Sequence, residues 1–252
     1  MKKILLFVIG GMLLVVASTV FGQVQTQMYF NGGYQGNVWS GGPEGAVATG
    51  FYDGSINGVQ VGPGQASPGM ICDDYYDNVT AGEHWSATAY QVSSLNASNI
   101  GNTLFGSNAG WGNAFGITAL QGYSALAYLA NNMFLFGVGN AGLQSSTSQA
   151  MWYLTSAAIG HAFSINGLDL QARTLVTTAL LACNISLSTY SNLMLYTQPF
   201  DPTGPQEMWG QIQVLTVPEG GTPVLYLLVC GMVCAGAVWQ TRRHKPALAR
   251  LG

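Results

Sequence analysis

The longest apolar runs of this chain lie near its two ends. Residues 4–16 are apolar apart from two glycines, and residues 224–239 contain no charged side chain. At 1.5 Å per helical residue the second run would be about 24 Å long, which is short of the roughly 30 Å hydrocarbon core of a bilayer. Between the two runs polar and apolar residues are mixed, as expected for a folded domain.

The first half of this central region predicts short β-strands. Residues 85–92 alternate, with Trp85, Ala87, Ala89 and Gln91 on one face. Glycine-rich and asparagine-rich composition predicts loops over 62–69 and 94–116, and loops around one or two short strands over 23–45. A short strand is predicted over Met70–Cys72. A hairpin is predicted between 46–52 and 58–61, with turns at Asp53-Gly54 and Asn57-Gly58.

Helical spacing replaces alternation from residue 117 onward. The pattern predicts three helices, over 117–134, 145–158 and 168–182, with Ser145 or Ser146 as the N-cap of the second. Late strands are predicted over 191–197 and 211–215. The expected class is α+β, in which early and late strands form a small barrel or sheet packed with a central group of about three helices.

Charged residues make up only 7% of the chain, and their distribution is uneven. Within residues 23–216 Arg173 is the only lysine or arginine, against nine acidic residues, for a formal charge of −8. A surface with so few cations cannot bind nucleic acid by neutralising phosphates. The uncharged polar residues Asn, Gln, Ser, Thr and Gly supply the polarity, a composition that suits an extracellular, adhesive or matrix-facing module.

The N-terminal run has the features of a secretory signal peptide. Lys2 and Lys3 form a positive n-region, residues 4–16 form the apolar segment, and small residues lead to a cleavage site before Gln23. We therefore expect signal peptidase to remove residues 1–22. A retained first transmembrane helix is the alternative.

The C-terminal apolar run is preceded by a segment rich in Pro and Gly and followed by a cluster of basic residues. The segment ahead of it is Val217, Pro218, Glu219, Gly220, Gly221 and Thr222, and the cations behind it include Arg242, Arg243 and Lys245. This order resembles the PEP-CTERM sorting signal, with Pro218-Glu219-Gly220 in place of Pro-Glu-Pro. An ordinary tail anchor is the alternative.

This resemblance implies a route for the protein. Residues 217–252 would be the sorting signal, with the motif at 217–222, a transmembrane helix at 224–239 and a basic tail at 240–252. An exosortase would cut near the motif and pass residues 23–216 from the inner membrane of a Gram-negative-type bacterium to the cell surface or extracellular matrix. The membrane contact would then be transient, and an exopolysaccharide or another surface polymer would be the partner.

A second resemblance lies inside the domain. Ile71-Cys72-Asp73-Asp74, followed some 75 residues later by Ser148-Gln149-Ala150-Met151-Trp152, resembles bacterial surface thioester domains. The resemblance implies an internal thioester between a Cys thiol and a Gln side chain, which couples the protein covalently to an amine. The family places its Gln four residues before the Trp, where this chain has Ser148. Gln149 is one residue out of register, so this resemblance predicts a related fold without the bond.

The exported region contains two cysteines, Cys72 and Cys183. In an oxidising compartment they can form a disulfide, which would exclude a thioester at Cys72. The state of Cys72 therefore has three candidates, namely a free buried thiol, a disulfide or a thioester.

Sequence motifs do not support an enzyme or a resident cofactor. Asp73, Asp74 and Asp77 form an acidic cluster that could bind Ca²⁺, but the cluster lacks EF-hand spacing and a solvated turn is the preferred interpretation. His84 and His161 have no catalytic signature around them. We expect a non-catalytic structural or adhesive protein, with a covalent thioester adhesin and a Ca²⁺-dependent polysaccharide-binding module as alternatives.

The two terminal signals lead to a direct prediction. Exported protein should begin near Gln23 and should lack the apolar run 224–239, because both ends are removed during export. N-terminal sequencing and intact mass of the exported material measure both cuts. Recovery of the uncut chain from the cytoplasm of its native host would contradict the prediction.

Overall fold

The structure, a computed structural model, describes residues 24–76, 79–198 and 206–212. These residues form an α+β fold with a six-stranded β-barrel and four α-helices. The strands are β1 Val24–Tyr34, β2 Val38–Gly42, β3 Gly45–Ala48, β4 Phe51–Ile56, β5 Val59–Val61, β6 Met70–Cys72, β7 His84–Gln91, β8 Leu193–Thr197 and β9 Met208–Gln211. The helices are α1 Asn108–Phe115, α2 Ala119–Phe136, α3 Ala141–Ala158 and α4 Leu170–Ala182.

The barrel closes by antiparallel pairing in the order β1-β7-β8-β9-β6-β4 and back to β1. Strand β5 extends β4 as a hairpin, and β2 pairs with β3 in a separate two-stranded sheet. Early and late strands thus share one sheet, as predicted, and of the two predicted forms, a small barrel or a sheet, the structure shows the barrel. Closure leaves few unpaired strand edges, which limits edge-to-edge association.

The two faces of the barrel strands pack into different cores, because successive side chains of a strand point to opposite faces. The inner core takes side chains from every barrel strand, among them Met28, Tyr52, Cys72, Trp85, Tyr196 and Met208. The outer core joins the barrel to the helices through side chains such as Ile71, Trp209 and Trp152. Adjacent residues of one strand therefore have different surroundings.

Polar side chains cap the N-termini of α2, α3 and α4. Thr118 and Gln121 form a capping box at the start of α2. Asn140 accepts a hydrogen bond from the Leu143 N–H at the start of α3, and Asp169 accepts one from the Ala172 N–H at the start of α4. Because Asn140 is the cap, α3 begins four residues earlier than predicted, and the prediction of Ser145 or Ser146 is wrong.

Other boundaries also differ from the sequence prediction. Strand β1 has 11 residues where one or two short strands were expected, and α1 lies within the predicted loop 94–116. Strand β9 begins at Met208 instead of Gln211.

Of the two predicted hairpin turns, Asn57-Gly58 is confirmed. Both of its residues have positive φ, 51° and 77°. Asp53-Gly54 lies inside β4 instead, so that half of the prediction is wrong.

The predicted signal peptide and sorting signal, residues 1–22 and 217–252, lie outside the described residues. None of the helices in the described part of the chain combines the length and apolar composition needed to cross a bilayer.

Gly54 is a position at which the barrel needs a glycine. An added Cβ would lie 1.9 Å from the Tyr29 carbonyl oxygen of the neighbouring strand β1. We expect Gly54→Ala to lower the free energy of unfolding by about 1–3 kcal/mol, because the strands must move apart. Chemical denaturation measures this loss. Gly101→Ala is the control, since an added Cβ there meets nothing within 4 Å, and equal losses for both variants would contradict the prediction.

Candidate functional site

The candidate site lies where β6 ends and β9 begins. In the antiparallel ladder Cys72 is opposite Met208, and the Asp73 N–H donates to the Glu207 carbonyl at 3.4 Å. The same register brings Asp74 opposite Gln206. Because side chains alternate between faces, Cys72 and Gln206 lie on one face of this ladder, while Asp73 and Glu207 lie on the other.

On the first face, Cys72 and Gln206 converge on one acceptor atom. The Cys72 thiol donates to the Asp74 carbonyl oxygen at 3.0 Å, and Gln206 Nε2 donates to the same oxygen at 3.4 Å. Cys72 is fully buried and Gln206 is only 5% exposed. Gln206 Oε1 is buried and lacks a hydrogen-bond partner, which is costly in a folded interior. The carboxamide is thus held near the thiol with its carbonyl oxygen unsatisfied.

The surroundings of Cys72 favour the protonated thiol. Burial raises its pKa well above the usual value, and the nearby Asp74 and Asp73 carboxyls raise it further. Trp152 of α3 donates from Nε1 to the Cys72 carbonyl at 3.1 Å and so ties the end of β6 to the helices. The thiol is therefore a hydrogen-bond donor in this structure.

A cavity of about 270 Å³ lies beside Gln206. Its lining includes the aromatic residues Tyr34, Tyr52, Tyr75 and Trp152, together with Asp74 and Gln206. A small molecule or a single side chain could enter a space of this size and reach the carboxamide. Arg173, the one lysine or arginine among the described residues, is not among the lining residues.

On the second face, two buried carboxyl groups meet. Asp73 Oδ2 accepts from Trp209 Nε1 at 2.6 Å, Glu207 Oε1 accepts from the Tyr123 hydroxyl at 2.7 Å, and Glu207 Oε2 accepts from the Leu104 N–H at 3.1 Å. Both residues are fully buried. The pKa of each carboxyl is raised, chiefly by desolvation, and for Asp73 the nearby Glu207 is the second cause.

Gln149 does not approach Cys72. Its Nε2 donates to Asp169 Oδ2 at 2.9 Å and to Ser145, and its Oε1 accepts from the Asp169 N–H at 3.0 Å. Ser148, the preceding residue, turns instead toward the barrel and accepts from the Gly50 N–H. The helical register thus directs Gln149 into the contact between α3 and α4.

The two cysteines are both buried and free, and the structure does not join them. Cys183 ends α4 and lines a separate cavity of about 370 Å³ with Ser124 and Leu187. The disulfide, one of the three candidate states of Cys72, is therefore not formed in this structure.

The acidic cluster is not a solvated turn, and that interpretation is wrong. Asp73 is fully buried and Asp74 is 4% exposed, while Asp77 lies outside the described residues. Across 24–76, 79–198 and 206–212, no three His, Cys, Asp or Glu side chains lie together in a group that could hold a metal ion.

The two histidines among the described residues, His84 and His161, are not among the residues of the site. His84 stacks on Tyr29 with ring centroids 4.4 Å apart, and the His161 carbonyl accepts from the Tyr76 hydroxyl.

Sequence reasoning missed Gln206 and Glu207. A local sign was available, since Gln206-Glu207 directly precedes an apolar strand just as Asp73-Asp74 directly follows one. Their pairing depends on β6 and β9 being neighbours, although 135 positions separate Cys72 from Glu207. Local periodicity cannot report that contact.

No protein-family model, curated protein or solved structure matches this chain.

Gln149 is expected to be structural. Gln149→Ala removes hydrogen bonds to Ser145 and Asp169, and we expect it to lower the free energy of unfolding by about 1–2 kcal/mol. Denaturant unfolding measures the loss, and alkylation of the unfolded protein measures the state of Cys72. A change in the chemical state of Cys72 in this variant would contradict the structural role.

Proposed function

We propose that this chain is an exported surface or matrix protein whose domain forms an internal thioester between Cys72 Sγ and Gln206 Cδ. Export and surface delivery rest on the two terminal signals of the sequence. The thioester rests on one observation, the convergence of the Cys72 thiol and the Gln206 carboxamide on the Asp74 carbonyl oxygen.

The chemistry of bond formation balances with the two side chains alone. Cys72 Sγ attacks Gln206 Cδ, the thiol proton passes to the amide nitrogen, and the Cδ–Nε2 bond breaks to release ammonia. The free thiol and the intact carboxamide of the structure are the reactants of this step. The unsatisfied Oε1 is the atom on which negative charge would develop as the thiol adds.

The surroundings of Cys72 and Gln206 would protect a thioester from hydrolysis until an external nucleophile reacts with it. Cys72 is fully buried and Gln206 nearly so, which limits hydrolysis by water. The cavity that Gln206 lines would be the route by which an external nucleophile approaches the acyl carbon. Attack there would leave the partner covalently attached to Gln206 and would free the Cys72 thiol. Each domain could do this once, so the protein would be an adhesin and not an enzyme.

The proposal assigns the electrophile to Gln206 instead of Gln149. The Ser148–Gln149 register disfavours a bond between Cys72 and Gln149, and the β6–β9 ladder supplies a different carboxamide. A non-covalent adhesive module with a permanently free Cys72 is the competing function, and the same experiment separates the two.

Intact mass of the exported protein tests the bond. We expect a mass about 17 Da below that of the unmodified chain, because thioester formation releases ammonia. Methylamine should then raise the mass to about 14 Da above the unmodified value, since the amine replaces ammonia on Gln206. After methylamine treatment and unfolding, one additional thiol per molecule, that of Cys72, should react with an alkylating reagent.

Three variants locate the bond. Cys72→Ala and Gln206→Ala should each have the full calculated mass and should not react with methylamine. Gln149→Ala should show the same mass deficit and the same reaction with methylamine as the natural protein. A natural protein of full mass would establish the non-covalent module. Loss of the mass deficit in Gln149→Ala but not in Gln206→Ala would overturn the assignment of Gln206.

A further inference from the structure

We infer that Asp73 and Glu207 are a positioning pair, in which one proton held on Asp73 Oδ1 joins the two carboxyls and keeps β9 in register with β6. The role assigned to this pair in the thioester rests on the proposed function. The proton-sharing contact itself does not, and the experiment below tests the two separately.

The hydrogen bonds determine where the proton lies. Both oxygens of Glu207 already accept, from the Tyr123 hydroxyl and the Leu104 N–H, so Glu207 is the ionised partner. Asp73 Oδ2 accepts from Trp209 Nε1. Asp73 Oδ1 is buried and has no donor, and the two carboxyl side chains lie within hydrogen-bonding reach of each other. A proton on Oδ1, donated to Glu207, satisfies both groups.

The electrostatic surroundings require this proton. The titratable groups around the pair are Tyr123 of α2, Cys72 of β6 and the adjacent Asp74, and each is neutral or negative. Thr155 of α3 contributes a neutral hydroxyl to the Asp73 carbonyl. Arg173, the cation of the described region, instead binds the carbonyls of Leu168 and Asn166. Two ionised carboxylates without a cation would repel each other strongly in a buried site.

The pair is placed where it can control the proposed reaction. Asp73 directly follows Cys72, and Glu207 directly follows Gln206. A bond between Asp73 and Glu207 on one face of the ladder therefore holds Cys72 and Gln206 in register on the other face. Neither carboxyl lies on the face that carries the reacting atoms, so the pair acts by positioning and takes no part in the chemistry.

The raised pKa values give the direction of the pH dependence. A carboxyl whose pKa is higher in the folded than in the unfolded protein binds more protons when folded. Its contribution to stability is complete below the unfolded pKa and is lost as the pH rises through the folded pKa. Stability should therefore fall from mildly acidic to alkaline pH, as the proton on Asp73 is lost.

Two amide substitutions in the exported protein test the location of the proton. In Asp73→Asn the introduced NH₂ can donate to Glu207 while its carbonyl accepts from Trp209, so it mimics protonated Asp73 at every pH. In Glu207→Gln the introduced NH₂ must face one of the existing donors, Tyr123 or Leu104. The first change should be tolerated and the second should not.

Melting temperature between pH 5 and pH 9 is the first readout. The natural protein should lose more than about 5 °C across this range, and Asp73→Asn should lose less than half as much. Glu207→Gln should melt lower than both already at pH 5. Parallel pH profiles for Asp73→Asn and the natural protein, or a flattened profile for Glu207→Gln instead, would overturn the assignment.

The ammonia mass deficit at a fixed pH of about 7 is the second readout. Asp73→Asn should keep the deficit, and Glu207→Gln should reduce the fraction of bonded molecules at least twofold. Equal bonded fractions in all three proteins would show that the pair does not position the thioester. A natural protein without any deficit would refute the proposed function, and the melting profiles would still decide where the proton lies.

Discussion

The antiparallel contact between β6 and β9 is the constraint on which the site depends. It joins a strand near residue 70 to one near residue 210 and closes the barrel between β4 and β8. Its register continues beyond the two paired positions through Asp73–Glu207 to Asp74–Gln206. One face of this short ladder therefore carries a thiol beside a carboxamide, and the other carries two carboxyls. A shift of one residue would exchange the faces and destroy both arrangements.

Within the part of the chain that the structure describes, the protein buries the side chains of Asp73 and Glu207 without the basic partners that buried carboxyls normally have. Nine acids and one arginine lie within residues 23–216, and Asp73, Asp74 and Glu207 are all buried. Hydrogen bonds from Trp209, Tyr123 and Leu104 replace salt bridges in this interior. Burying carboxyls in this way is costly, and such a cost persists where it supports an arrangement that the protein needs. In the proposed function, this arrangement keeps Cys72 aligned with Gln206.

Prediction from sequence succeeded where local periodicity or turn chemistry determines the structure. The alternation of 85–92, the Asn57-Gly58 turn and the central helices follow from side-chain spacing and positive φ. It failed where tertiary contacts decide, as in the 11-residue strand β1 and the helix α1 inside a glycine-rich stretch. The acidic cluster was misjudged for the same reason, because burial of Asp73 depends on Trp209 and Glu207, which lie far away in sequence.

The sequence by itself determined the α+β class and the low content of cations in the domain, since these follow from composition and period, and its local motifs made Cys72 a candidate residue. Only the tertiary structure placed Gln206 on the same face of the ladder as Cys72. Helical register directs Gln149 to Asp169, whereas the β6–β9 register brings Gln206 to the thiol. The reason is physical. Neighbouring residues in the sequence determine the face on which a side chain lies, but closure of the whole barrel determines which strand lies beside it.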